Sequence, residues 1–378
     1  MDKVGTVRQL YFAAALASAL GVGAAGVWMS SPGSPQQGNP QQGSPPAGNE
    51  ETQRSAAPPR PTRKTGFVYS DLYLRHLSGN TGHPERPERL RVIRTALERE
   101  GLLRSLVSID ARRVTDDELQ LVHTPAYVAL VRRELSNVQG LTELSTGDTV
   151  ATAGTLQAAE FAAGGILNAV DAVMEGKVSN AFVAARPPGH HATPGRGMGF
   201  CVFNSIAVAA RYLQKVHGIQ RVLIVDWDYH HGNGTQDAFY NDDSVFYFST
   251  HHYGAYPGTG SPRETGSGRG VGTNLNVPLP VGASDAQILE AFETQLVPAA
   301  RAFRPDFILI SAGFDAMRND LLGRFDVTPE GFAAITRVVL RLADESAQGR
   351  VVSLLEGGYR LDGLADSVVA HIQALQGN

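Results

Sequence analysis

The chain has 378 residues, with 42% hydrophobic and 19% charged side chains and a formal net charge of -4. This length is enough for one large domain or two small ones, and the small negative charge excludes a general attraction to nucleic acid. The single cysteine, Cys201, excludes an intrachain disulfide.

The N-terminus differs in composition from the rest of the chain. Lys3 and Arg8 precede an uncharged stretch, residues 10–29, which as a helix would span about 30 Å, the thickness of a bilayer core. We therefore expect residues 1–29 to be a bacterial signal peptide or an uncleaved signal anchor, with a buried core helix as the alternative. This interpretation places the rest of the chain in the periplasm or anchored to the cytoplasmic membrane; a cytoplasmic location is the alternative.

Residues 30–64 consist largely of Pro, Gln, Gly and Ser. This composition has too little apolar surface to fold, so the segment is predicted to be a disordered tether with a reach of about 30–35 Å. The folded domain is expected to cover residues 65–378.

From residue 65, apolar runs typical of buried strands alternate with segments of helical spacing. Strands are predicted at 66–70, 181–185, 222–225, 245–248, 307–310 and 351–355. Helices are predicted at 87–100, from Pro125 onward, and at 155–174, 205–216, 285–303 and 329–347. The alternation predicts one three-layer α/β/α domain with a mainly parallel sheet, in which ligands bind beyond the carboxyl ends of the strands.

Polar residues are densest directly after the strand predicted at 222–225. In an extended chain Asp226, Asp228 and His230 share one side, and a carboxylate and an imidazole two residues apart can bind one metal ion. This density favours a metal or catalytic site over a satisfied strand end.

Asp315 is the best candidate for a third ligand, because it follows another apolar run and a flexible Ser-Ala-Gly. Three protein ligands leave a position open for water, as a catalytic zinc site requires. An Asp, His, Asp set is harder than the usual zinc set, so Fe²⁺ or Co²⁺ can compete.

Two further strand ends carry side chains suited to proton transfer. His190 and His191 are adjacent on a proline-rich loop, where metal ligation and proton transfer are both open to them. Asp226 and Asn233 are candidates to orient them. Tyr359 follows two glycines, and its hydroxyl can donate to a developing oxyanion.

Phe200 and Tyr256 lie in glycine-flanked loops and can line a channel, with ordinary packing as the alternative. The segment HPERPERL at 83–90 contains arginines for which structural ion pairs are expected, with a position on a rim as the alternative.

Six motifs follow one another between residue 65 and the C-terminus: RPPGHHA (186–192), GFCVFNS (199–205), DWDYHHGNGTQ (226–236), YPGTG (256–260), SAGFDA (311–316) and LEGGY (355–359). With these motifs, all in the family order, the chain resembles the zinc-dependent histone deacetylase family, which includes bacterial acetylpolyamine amidohydrolases and acetoin-utilisation proteins. HPERPERL and Asn233 resemble the class II branch.

The resemblance implies an arginase/deacetylase-like fold and a zinc ion bound by Asp228, His230 and Asp315. It also implies that His191 is the general base and acid and that His190 is its electrostatic partner. The remaining roles concern orientation and the oxyanion: Asp226 pairs with His190, Asn233 pairs with His191, and Tyr359 polarises the amide carbonyl.

The resemblance further implies that Phe200 and Tyr256 are the aromatic walls of an acyl-lysine tunnel. It implies a K⁺ or Na⁺ site formed by Asp226, Asp228, His230, Ser249 and Thr250. The departures from the family pattern are Asp320-Leu321, Ser205 and Arg360. Leu322 lies where polyamine-selective members carry an acidic residue, and its apolar side chain favours acyl-lysine.

The expected function is a metal-dependent amidohydrolase that removes acetyl or related acyl groups from lysine side chains of proteins or peptides. Hydrolysis of acetylpolyamines or other small N-acetyl amides is the alternative. A binuclear manganese ureohydrolase is rejected because Met317 stands where a further carboxylate is needed, and the complete ligand set argues against a binding module with a dead site. Oligomeric state is not predicted.

Overall fold

The computed structural model describes residues 63–80 and 82–377, so the predicted signal segment and almost all of the predicted tether lie outside the described residues. The strands are β1 (Thr65–Val68), β2 (Val107–Ile109), β3 (Thr142–Glu143), β4 (Val150–Ala151), β5 (Asn180–Val183), β6 (Val222–Asp226), β7 (Val245–His251), β8 (Asn274–Pro278), β9 (Phe307–Ala312) and β10 (Val351–Leu355). The α-helices are α1 (Glu88–Arg99), α2 (Asp116–Leu119), α3 (Pro125–Leu135), α4 (Thr155–Met174), α5 (Ser205–His217), α6 (Asn233–Phe239), α7 (Asp285–Ala291), α8 (Val297–Phe303), α9 (Pro329–Ser346) and α10 (Leu361–Leu375).

Eight strands form one sheet in the order β2-β1-β5-β10-β9-β6-β7-β8. The neighbouring pairs in this sheet are parallel, whereas β3 and β4 form a separate antiparallel pair. Every residue of β5, β6, β9 and β10 is buried, as expected for parallel strands covered on both faces. The predicted fold class is therefore confirmed.

Two groups of helices cover the sheet. The long alanine-rich α4 packs with α5 and contacts β1, β5 and β10, while α10 packs with α9 and α1. Apolar side chains from both groups and from the central strands form the core. No helix within residues 63–80 and 82–377 is long and apolar enough to cross a membrane.

The register of the sheet determines where the site lies. Asp226, the last residue of β6, is in register with Ser249 of β7 and Ser311 of β9. Because parallel strands run in one direction, the polar residues that follow β5, β6, β9 and β10 emerge at the same edge.

The structure differs from the predicted elements in two ways. The edge strands β2 and β8, the pair β3 and β4, the short helices α2 and α6 and the C-terminal helix α10 were not predicted. Residues 285–303, predicted as one helix, form α7, a π-helical turn (Phe292–Leu296) and α8. The break has a local cause, because Pro298 has no N–H for an α-helical bond and the Val297 N–H just before it donates to the Phe292 carbonyl.

Candidate metal centre and active site

Asp228, His230 and Asp315 converge at the carboxyl edge of the sheet. One ligand atom from each residue lies within 4.8 Å of the other two. His230 Nδ1 is 3.1 Å from Asp228 Oδ1 and 2.9 Å from Asp315 Oδ2. The loops after β6 and β9 thus bring together residues that are 85 positions apart in sequence.

Backbone groups hold both carboxylates in place. Asp228 Oδ2 accepts the Gly357 N–H at 2.8 Å, and Asp315 Oδ1 accepts the Tyr229 N–H at 2.9 Å. A Cβ at Gly357 would lie 2.4 Å from Asp315 Oδ2 and 2.6 Å from Asp228 Oδ2. Glycine is required there because the backbone approaches the two carboxylates so closely.

The chemistry of this cluster fits a divalent metal ion. Burial alone would lower the pKa of His230, but Asp315 and Asp228 outweigh burial and raise it to about 10. Two buried carboxylates therefore attract positive charge strongly enough to hold a proton on the imidazole between them. A metal ion can take the place of that proton, and nitrogen and oxygen donors suit zinc and its neighbours in the transition series.

The tandem histidines lie beside the cluster, and each has an orienting partner. His190 Nδ1 is 3.0 Å from Asp226 Oδ2, and His191 Nδ1 is 2.9 Å from Asn233 Oδ1. The two imidazole rings are 4.1 Å apart, and both residues are buried. Because Asn233 presents a carbonyl oxygen to Nδ1, His191 carries its proton there and leaves Nε2 as an acceptor.

The environment separates the protonation states of these histidines. Burial opposes a charge on His190, but Asp226 and Asp228 outweigh it and raise the pKa of His190 to about 10. Burial, together with the charges of His190 and His230, lowers the pKa of His191 well below its ordinary value. At neutral pH the pair therefore consists of one imidazolium and one neutral imidazole that can accept a proton.

Glu356 supports the loop that carries the histidines. Its Oε2 accepts the N–H groups of Gly189 at 2.7 Å and His190 at 3.3 Å, and its Oε1 accepts the Ser311 hydroxyl at 3.2 Å. Burial raises the pKa of Glu356 to about 7. We did not predict this residue, and its position inside LEGGY, three residues before Tyr359, was the available signal.

Tyr359 is buried in the segment that follows β10, and Arg89 holds the residues before it. Arg89 Nε donates to the Gly358 carbonyl at 2.6 Å, and its guanidinium lies 5.0 Å from the Tyr359 ring centroid. Arg89 also pairs with Glu85 at 3.0 Å, so this arginine of HPERPERL forms the ion pair that we expected. Burial, followed by the charge of Asp315, raises the pKa of Tyr359 well above its ordinary value, so its hydroxyl remains a donor.

Two aromatic side chains flank these groups. The Phe200 ring lies 6.0 Å from the Tyr359 ring, and the Tyr256 ring lies 5.1 Å from the imidazole of His191. Phe200 has φ 67°, a left-handed conformation. Asp148, which we did not predict, accepts the Gly199 N–H at 2.8 Å and the Tyr256 hydroxyl at 3.3 Å.

Leu322 is 38% exposed on the loop that follows Asp315. Its N–H donates to Asp320 Oδ1 at 2.8 Å, and Asp320 Oδ2 accepts the Tyr359 N–H at 2.7 Å. Leu322 is thus linked to the tyrosine through one carboxylate.

Ser249 and Thr250 are fully buried beside Asp226 at the carboxyl end of β7. The Ser249 hydroxyl lies 2.9 Å from His251 Nδ1. The Thr250 hydroxyl is buried and has no hydrogen-bond partner within the described part of the chain.

The histone deacetylase domain model matches residues 83–375 of this chain. A protein of Archaeoglobus fulgidus named "Probable deacetylase" is 40% identical over 301 residues, which cover 79% of this chain and 82% of the relative. Rice "Histone deacetylase 10, chloroplastic" is 42% identical over 309 residues, which cover 78% of this chain and 70% of the relative.

A solved structure is also similar to this chain in its three-dimensional fold. The crystal structure of the "HDA15 HD domain" superposes with a TM-score of 0.78 at 40% identity. The match covers 83% of this chain and 88% of that one.

Proposed function

The chain belongs to the histone deacetylase family, and on that premise we propose that it is a lysine deacetylase whose single divalent metal ion is bound by Asp228, His230 and Asp315. It is a hydrolase that cleaves the amide bond between an acyl group and a lysine side chain. The convergence of these three side chains within 4.8 Å supports the metal site. Zinc is the proposed ion, with Fe²⁺ and Co²⁺ as competitors for the same donors.

An ion held by Asp228, His230 and Asp315 would supply Lewis-acid chemistry: it would polarise the amide carbonyl and lower the pKa of water. His191 accepts the proton of the attacking water at Nε2 and later returns it to the leaving amine nitrogen. His190, held as an imidazolium by Asp226, provides positive charge beside the reacting atoms. The Tyr359 hydroxyl donates to the amide oxygen as that oxygen gains negative charge.

The proposed substrate is an acetylated lysine in a protein or peptide. Phe200 and Tyr256 form the walls of the channel in this proposal, and the apolar Leu322 gives a cationic polyamine no carboxylate to pair with. The buried end of β7, with Ser249 and Thr250, is proposed to hold K⁺ or Na⁺ together with Asp226, Asp228 and His230.

Metal content and substrate preference test the proposal together. We expect one divalent ion in the catalytic centre, loss of activity with a chelator, and recovery when Zn²⁺ is added back. Acetyl-lysine peptide should be preferred to an acetylpolyamine. Two metal ions in the centre, or none after reconstitution, would contradict the proposed metal site. A preference for the acetylpolyamine would show that the substrate is a polyamine and not an acetylated lysine.

We also propose that residues 1–29 export the chain and that residues 30–64 tether the domain. The basic flank, the uncharged stretch and the Pro/Gln-rich composition support this. A protein that begins at Thr65 should be soluble and active, and fractionation should place the full chain at the membrane or in the periplasm. A cytosolic protein with an intact N-terminus would contradict export.

A further inference from the structure

One carboxylate, that of Asp320, accepts four backbone N–H groups from two segments of the chain. Its Oδ1 accepts the N–H groups of Leu322 at 2.8 Å and Gly323 at 3.2 Å. Its Oδ2 accepts the N–H groups of Tyr359 at 2.7 Å and Arg360 at 2.9 Å. The first two N–H groups belong to the loop at 318–324, which we call the rim loop. The other two belong to the segment that carries Tyr359, the proposed oxyanion donor.

The segment that carries Tyr359 has little regular structure of its own. It connects β10, which ends at Leu355, to α10, which begins at Leu361. The residue before α10, Arg360, makes no side-chain cap, and its guanidinium pairs with Asp362. The N–H groups of Tyr359 and Arg360, just before this helix, therefore have their acceptor elsewhere in the chain, at Asp320.

Two side chains from distant parts of the sequence hold this segment from both sides. Arg89 donates to the carbonyls of Glu356 at 2.5 Å and Gly358 at 2.6 Å. Asp320 accepts the next two N–H groups. The peptide units on both sides of the Tyr359 Cα are thereby fixed, and the direction of its side chain follows from them.

We propose that Asp320 is a positioning residue that aims the Tyr359 hydroxyl and joins its segment to the rim loop. The inference rests on the proposed role of Tyr359 as an oxyanion donor. An oxyanion donor is effective only when it is directed at the oxygen in advance, so a shift of its backbone reduces the rate without altering the metal ligands. The N–H groups of Leu322 and Gly323 bind the same carboxylate, so Asp320 also links the exposed rim loop to the segment of the donor.

Asp320→Asn is the informative change, because an amide has one acceptor oxygen where the carboxylate has two. Two of the four N–H groups must lose their acceptor while side-chain size stays the same. We expect kcat on acetyl-lysine peptide to fall about tenfold or more, with KM within about threefold and metal content unchanged. Asp344→Asn is the matched control, since this exposed aspartate pairs with Arg63 and belongs neither to the site nor to the rim loop; it should stay within about twofold of wild type.

A double-mutant cycle separates positioning of Tyr359 from general damage to the site. In a Tyr359→Phe background the hydroxyl is absent, so Asp320→Asn should cost less than about threefold in kcat. If the two losses multiply, Asp320 does not act through Tyr359 and the inference is wrong. If Tyr359→Phe alone retains full activity, the proposed role of Tyr359 fails instead.

A second variant covers the case in which Asp320→Asn does not fold or loses metal. Asp320→Glu retains both acceptor oxygens on a longer side chain, and the same cycle can be run with it. The loss of kcat that Asp320→Glu causes should also disappear in the Tyr359→Phe background. A loss that persists there overturns the inference.

Discussion

The floor of the site and its rim are built in different ways. On the floor, Asp226, Asp228 and Asp315 are at most 1% exposed, and their oxygens accept N–H groups from the backbone or from histidine. On the rim, Leu321 and Leu322 are 61% and 38% exposed. Removing an atom on the floor leaves buried partners unpaired, whereas the rim meets water. The rate of the chemical step should therefore be sensitive to the loss of single atoms on the floor. Substitutions on the rim should change substrate preference and leave the chemical step intact.

The largest effect is expected from the floor itself. Asp315→Asn removes one of the two negative charges around His230, so metal content should fall and activity should drop by about a thousandfold or more. Elemental analysis and kcat/KM measure the two effects. Asp344→Asn serves as the control, and an Asp315 variant with full metal content and near-normal activity would contradict the ligand assignment.

Tyr359→Phe should have the second-largest effect, because it removes the hydroxyl of the proposed oxyanion donor and leaves the metal ligands intact. Losing an oxyanion donor typically costs about 10²–10³ in rate, or roughly 3–4 kcal/mol, so kcat should fall far more than KM changes. A trifluoroacetyl substrate needs less help from the donor and should recover part of the activity. A variant within about threefold of wild type, with chemistry rate-limiting, would exclude Tyr359 from the mechanism.

At the rim, Leu322→Glu should change preference and leave the chemistry intact. A carboxylate there attracts a cationic polyamine, and an exposed pair contributes about 1 kcal/mol. The ratio of kcat/KM for acetylpolyamine to that for acetyl-lysine peptide should rise about fivefold. Leu322→Gln is the matched control; an equal change with glutamine would show that charge is not the cause.

Asn233→Asp should change kcat/KM least at neutral pH, and should change it measurably at acidic pH. In the wild type the pKa of His191 is well below its ordinary value, so the base stays neutral as pH falls until that lowered pKa is reached. A carboxylate on Nδ1 favours the imidazolium and raises this pKa. The acid limb of kcat/KM should therefore move to higher pH by about one unit. An unchanged limb would mean that His191 is not the titrating base.

The sequence was informative where the cause of structure is local. Four apolar residues before Asp226, and another run before Asp315, were enough to predict two central parallel strands and the polar residues at their ends. The edge strands were missed because they are short and partly exposed, so they lack a continuous apolar run; β2 covers only Val107–Ile109.

The supports of the site were not predictable for a different reason. Arg89 donates to a carbonyl 269 positions away, and Asp320 accepts an N–H 39 positions away. Their partners are backbone atoms, which every residue has, so no residue pattern marks them. Only the folded chain brings these groups together.

Phe200 has a consequence for how much stability this domain can have. A left-handed backbone at a residue with a side chain costs roughly 1–2 kcal/mol, and glycine would relieve it. The neighbouring Gly199 cannot carry the ring instead, because a Cβ there would lie 2.4 Å from the His191 ring. A sequence selected for thermal stability alone would thus lose this aromatic ring, so under the proposed role of Phe200 the position is a trade-off between stability and activity.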